Sequence, residues 1–268
     1  MQLLSDPAIQ GLMGDPAALQ LIMNPLTTKL IASGGQPELT AIPIDFHRVR
    51  TAKRTEGEIL FLDQDFSASV TGLGQPLPQF SSTSILAVDR DSRQYVEGGS
   101  EARRGGFAFP FDVSKDQKYP IWVHEVYQPL IASFVGISEV EGLDVYTFEI
   151  KEAELIVPDE AKLELGLPAS LNLVADVFMK TQTDPKSGIT VQLDSKITYK
   201  LVNPALGNPT VFEAEIRDTE ASVSISVDDA RTVKRQLFWL GIFMPRTVLG
   251  LGIVTVGISG LLLMRTKD

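Results

Sequence analysis

Hydrophobic and polar positions alternate along most of this chain, and the alternation gives way to other patterns near each end. From Glu38 to about Val227 the apolar residues fall in short β-prone runs, among them Ile59, Phe61, Phe66 and Val70, then Ile85, Ala87 and Val88. The clearest hairpin joins Phe134–Val140 to Val145–Ile150 through Glu141-Gly142-Leu143-Asp144. In its second strand Val145, Thr147 and Glu149 alternate with Tyr146, Phe148 and Ile150, the period-two pattern of a sheet with two unlike faces. A second hairpin runs Leu173–Thr181, turns through Asp184-Pro185-Lys186-Ser187-Gly188 and returns as Ile189–Tyr199. Pro185 presets a turn φ, and Gly188 permits a positive one. A third pairs Val211–Arg217 with Ser222–Val227, and Pro158–Leu167 predicts a short helix or an irregular crossing. Evenly spaced strands with turn signals predict a mainly β fold, either a sandwich or a half-barrel-like antiparallel sheet.

The two ends follow other rules. Residues 5–13, 14–22 and 23–31 are three nine-residue units, each with Asp or Asn, then Pro, then a closing apolar pair. Asp6, Asp15 and Asn24 suit helix N-caps, and Pro7, Pro16 and Pro25 suit the first helical position. The expectation is three short N-terminal helices that must dock their apolar faces on something, since such lengths are not stable alone. The units resemble the Asp-Pro helical repeats of Hop-type co-chaperones; a packing cap on the following domain fits them as well. At the other end, Thr247–Met264 carries no charge and no proline. Its eighteen residues make roughly 27 Å of helix, close to the ~30 Å hydrocarbon core of a bilayer. A single C-terminal transmembrane helix is predicted there. Trp239, Phe243 and Arg246 stand at its entry and Arg265 at its exit, the residue types that settle at headgroup level. Gly250, Gly252, Gly257 and Gly260 allow close helix approach without forming a G-x-x-x-G pair. The predicted organisation is a repeat over 1–35, a β-rich body over 36–229, a juxtamembrane helix and aromatic shelf over 230–246, the span over 247–264 and a tail over 265–268, with helical character beginning near Asp228.

Net charge is −10, so the body repels phosphate backbones and anionic headgroups, and no nucleic-acid partner is expected. With no cysteine, disulfides and thiolate chemistry are excluded. None of the four asparagines begins a glycosylation acceptor. Met1–Ile31 does not read as a secretory signal. Four cations (Arg231, Lys234, Arg235 and Arg246) precede the span against two after it, which by the positive-inside tendency would keep the body in the cytoplasm.

Candidate chemistry is sparse. His47 and His124 have no ligand at metal-site spacing, and no nucleophile elbow, zincin helix or phosphate loop is present, so neither catalytic residue nor metal or other cofactor is assigned. Asp63-x-Asp65 and Asp89-x-Asp91 place paired carboxylates near expected strand ends, as solvated turn acids or a hard-cation arrangement. The run His47–Arg54 is the densest positive patch; it fits a strand with one solvated, edge-protecting face, or a strip meeting anionic lipid or an acidic partner. Phe107, Phe109, Phe111, Tyr119 and Trp122 make the densest aromatic segment outside the anchor. They are the candidate ligand-binding residues, lining a hydrophobic pocket or an interface; plugging the core under a long loop is the competing role.

Leu86-Ala87-Val88-Asp89-Arg90-Asp91, Phe109-Pro110-Phe111 with Tyr119-Pro120-Ile121-Trp122, Phe134-Val135-Gly136 leading to Gly142–Phe148, and the stretch from Ala221 through Pro245 into the span together resemble the PorA-like porin family over roughly residues 38–264. The resemblance implies a prokaryotic cell-envelope protein whose β-rich body lies outside the cytoplasm and is held by membrane helices. It carries over no catalytic or binding residue. The functional expectation is therefore a non-enzymatic, membrane-anchored envelope protein that binds a protein partner or copies of itself. A carrier of lipid or another hydrophobic ligand in a cup-shaped sheet is the alternative, and a channel component a more distant one.

Overall fold

The computed structural model describes residues 43–239 apart from 75, 79, 80, 165, 166 and 203–207. The N-terminal repeat and the apolar run 247–264 with Phe243, Arg246, Gly250, Gly252, Gly257, Gly260 and Arg265 lie outside the described residues. Among the described residues no helix is long and apolar enough to cross a membrane.

The body is mainly β, as the alternation predicts. Strands β1 (Ile44–Glu56), β2 (Ile59–Val70) and β3 (Ser82–Asp89) form an antiparallel three-stranded sheet in sequence order. Strands β4 (Tyr119–Val123), β5 (Gln128–Val140), β6 (Leu143–Ile156), β7 (Leu173–Thr183), β8 (Thr190–Leu201) and β9 (Thr210–Arg217) form an antiparallel six-stranded meander. Helix α1 (Asp159–Glu164) interrupts the crossing from β6 to β7, and helix α2 (Glu220–Phe238) follows β9. Isolated bridges Val88–Tyr95, Gln94–Gly106 and Gly106–Ile121 stitch β3 to β4, so backbone pairing runs from one sheet into the other. Laid flat, these nine strands would be roughly 40 Å wide, at about 4.8 Å per strand. Yet Arg48 on β1 acts electrostatically on Asp218, the residue after β9. The sheet must curl to bring its two ends within reach of each other.

The largest core lies on one face of the meander. Phe109, Tyr119 and Phe148 interlock with ring centroids 4.7 to 5.5 Å apart, backed by Ile150, Ala175, Val177, Ile197 and Tyr199. A second cluster seats α2: Val227 and Ala230 are fully buried against Val140, Leu143, Val145 and Val191. A third joins Leu62, Leu86 and Val88 to Tyr95 and Phe107.

Several elements differ from the pattern-based expectation. Ser222–Val227 is not a strand. It is the start of α2, which begins at Glu220 rather than near Asp228 and straddles the expected boundary at 229/230. Val223, Ile225 and Val227 satisfy period two, but Val223, Val227 and Ala230 also satisfy helical spacing, and those three pack on the sheet. Thr219 caps the helix, accepting from the Ser222 N–H at 3.2 Å. The first hairpin turns on two residues rather than four, because Leu143 pairs with Val140 and is buried under α2. Glu141 and Gly142 both adopt positive φ, as a tight primed turn requires. Finally, Asp63 and Asp65 sit within β2 rather than near its end.

Candidate functional site

The five aromatic candidates divide between two environments. Phe109 and Tyr119 belong to the main core, and the Tyr119 hydroxyl donates to the Ser114 carbonyl and accepts from the Ser114 N–H. These two rings hold the long connection between β3 and β4 against β6. Phe111 is exposed at the loop surface, with the Arg93 guanidinium 4.0 Å from its ring centre. Phe107 and Trp122 are half-buried and lie elsewhere, in an aromatic row across the joint between the sheets. Phe107 meets Tyr95 edge-on at 5.7 Å, Tyr95 meets Trp122 at 6.4 Å and Trp122 meets Tyr127 at 6.0 Å. The Trp122 indole Nε1 is buried and has no hydrogen-bond acceptor among the described residues.

The basic run proves to border this row. β1 is an edge strand, exposed along nearly its whole length. Registry places Arg50 opposite Gln64 on β2, and Gln64 opposite Ser84 on β3. Directly opposed residues share a face, so the three form one transverse row. Arg50 Nε donates to Gln64 Oε1 at 3.0 Å, and its guanidinium lies 4.4 Å from the centre of Phe107. Gln64 and Ser84 are both buried, and the Ser84 hydroxyl has no partner among the described residues. Arg48, two residues along on the same face, stands 5.5 Å from the centre of Phe66.

The electrostatics are unusual for an acidic protein. Arg50 is drawn down to about 10, first by withdrawal from water, then by Arg48 and Arg103, with Tyr95 opposing. As a residue Arg50 is nonetheless solvent-accessible. The two observations agree if the guanidinium is lodged between Phe107 and Gln64 while the rest of the residue lies open along β1. Arg103 is neutralised by Glu101, 2.7 Å away, and also donates to the Tyr95 hydroxyl. No carboxylate makes an ion pair with Arg48 or Arg50 among the described residues. Asp218 is the acid that feels Arg48: burial raises its pKa, against the Leu193 N–H bond and the arginine.

The basic run was legible in the sequence as an edge strand. What strand periodicity missed was the inward row, because Gln64, Ser84, Tyr95 and Arg103 come from four separate segments and carry no shared motif. The paired acids have ordinary roles: Asp63 pairs with Lys53 at 3.0 Å, and Asp89 accepts from Ser92 in a turn. No group of three or more metal-ligating side chains converges among the described residues.

Two antiparallel sheets, a long helix packed on the larger one and a cationic–aromatic face at the joint between them define a mainly β protein. The chain belongs to the porin PorA family, whose family model matches residues 37–261. A comparison with curated proteins finds no match.

Proposed function

We propose that this protein is a non-enzymatic cell-envelope component, anchored in the bilayer through residues 247–264, whose body lies outside the cytoplasm and binds a protein partner or further copies of itself. The observation that carries this reading is the course of α2. It is docked at Val227 and Ala230, then runs outward to Leu237, Phe238 and Trp239, all exposed, eight residues short of the apolar run. Exposed aromatics in that position suit the headgroup layer. Membrane fractions washed with alkaline carbonate should retain the full-length protein, and its release as a soluble protein would overturn the anchor. Protease protection on intact cells, with a tag at residue 36, should find the tag accessible; protection would place the body inside.

A second reading, a carrier of lipid or another hydrophobic ligand, is favoured by the half-buried aromatic row at the sheet joint and its indole N–H, which has no acceptor among the described residues. A channel role, suggested by the family's name, predicts conductance in planar bilayers. The charged, exposed β1 favours it less, since barrel strands present an apolar outer face to lipid.

A further inference from the structure

Two guanidinium groups on the inner row of the three-stranded sheet, Arg48 and Arg50, make no ion pair among the described residues, in a chain of net charge −10. Such a chain has acids in excess, so leaving Arg48 and Arg50 outside its ion pairs is unexpected for purely structural side chains. Arg50 uses Nε on Gln64 and has both terminal nitrogens to offer. Behind it, Ser84 carries a hydroxyl that is more than nine-tenths buried and unsatisfied among the described residues. A buried hydroxyl without a partner has given up its hydrogen bonds to water and is destabilising. Beside these groups runs the aromatic row, Phe107, Tyr95 and Trp122, half-buried and continuous with the apolar cluster of Leu62, Leu86 and Val88.

We infer that this face binds a single-chain anionic amphiphile, its head group held by Arg48, Arg50 and Ser84 and its hydrocarbon laid along Phe107, Tyr95 and Trp122. This rests on the carrier reading and specifies its ligand class. The head group completes what the protein leaves open: oxygen acceptors for the Arg50 terminal nitrogens and for the Ser84 hydroxyl, and a negative charge to relieve the repulsion between neighbouring guanidiniums. A planar guanidinium can hold a carboxylate or a phosphate monoester through two parallel hydrogen bonds. The rings offer flat apolar surface at low entropy cost.

The test is a fluorescence titration of full-length protein in non-ionic detergent with 11-(dansylamino)undecanoic acid, and in parallel with its methyl ester. The acid should bind at least about tenfold more tightly than the ester. Arg50→Gln should remove about that factor for the acid and leave the ester unchanged. Ser84→Ala should weaken the acid a few-fold, and its small volume change guards against a folding artefact, checked by a melting temperature no lower than that of wild type. Equal binding of acid and ester, or an Arg50→Gln variant that binds the acid as wild type does, would overturn the head-group site while leaving a hydrophobic carrier standing. Absence of binding by either probe would remove both.

Discussion

Lys234 Nζ on α2 lies 3.2 Å from Oδ1 of Asp184, a carboxylate with no exposed surface in the turn between β7 and β8. The other carboxylate oxygen accepts the Ser187 N–H at 2.7 Å, so one side chain closes the turn and fastens the helix to it. Arg231 adds a parallel tie, donating to the Glu141 carbonyl in the β5–β6 turn. Helix α2 is thus held at two hairpin tips, and its docking fixes where the chain leaves the body.

Lys234→Met leaves the Asp184 charge buried without a counter-charge. Lys234 is itself partly exposed, so a loss of about 1–3 kcal/mol is expected, below the range for fully buried pairs. Thermal melts check the magnitude. Hydrogen exchange should show α2 amides losing protection before those of β7 and β8.

Gly188 closes the same turn at a φ of +68°, and a Cβ there would press against the Pro110 carbonyl oxygen and stand 2.5 Å from that of Phe109. Both obstacles are backbone and cannot swing aside. Gly188→Ala should therefore destabilise by about 3 kcal/mol or more, the strained φ adding to the overlap. Expression yield and melting temperature measure it; a wild-type melt would contradict the packing of the 109–110 segment on the turn.

Phe109 and Phe111, two residues apart, should respond unlike each other. Phe109→Ala empties the centre of the main core and should cost about 3–5 kcal/mol. Phe111→Ala removes an exposed ring and its contact with Arg93, worth about 0.5–1 kcal/mol. Chemical denaturation of the two variants separates a core-filling role from a surface one within the segment.

Asp176 supplies the pH dependence. Its pKa is lowered, chiefly by the hydrogen bond from Lys200 and next by the Glu154 N–H at the β6 bulge. A carboxyl lowered in the folded state contributes stability that is present above its unfolded pKa and lost as pH falls through the folded one. Asp176→Asn should thus lower stability near pH 7, by less than about 1 kcal/mol because the pair is partly solvated. The difference from wild type should vanish once acid has protonated the carboxyl in both states. Paired melts across the acidic range test the sign.

The alternation at Val145–Ile150 and Leu173–Thr181 was sufficient to place β6 and β7, because burying one face of a sheet writes a period of two into the sequence. Turn chemistry placed Asp184–Gly188 for the same reason: proline and glycine fix φ locally, whatever surrounds them. At Ser222–Val227 the local signal was double, and only the sheet beneath selected the helix. Val227 and Ala230 can be buried together against Val140 and Val191 in a helix, and period two offers no such pairing.

The sequence by itself determined the β-rich body, its main hairpins, the basic edge strand and the apolar run near the C-terminus, all properties carried by neighbours in the chain. Tertiary structure alone decided that Phe109 and Tyr119 fill a core while Phe107 and Trp122 cross a sheet joint, and that Arg50, Gln64 and Ser84 share a row. Such groupings depend on strand registry and sheet curl. Both are set by how distant segments pack, so no stretch of contiguous residues records them.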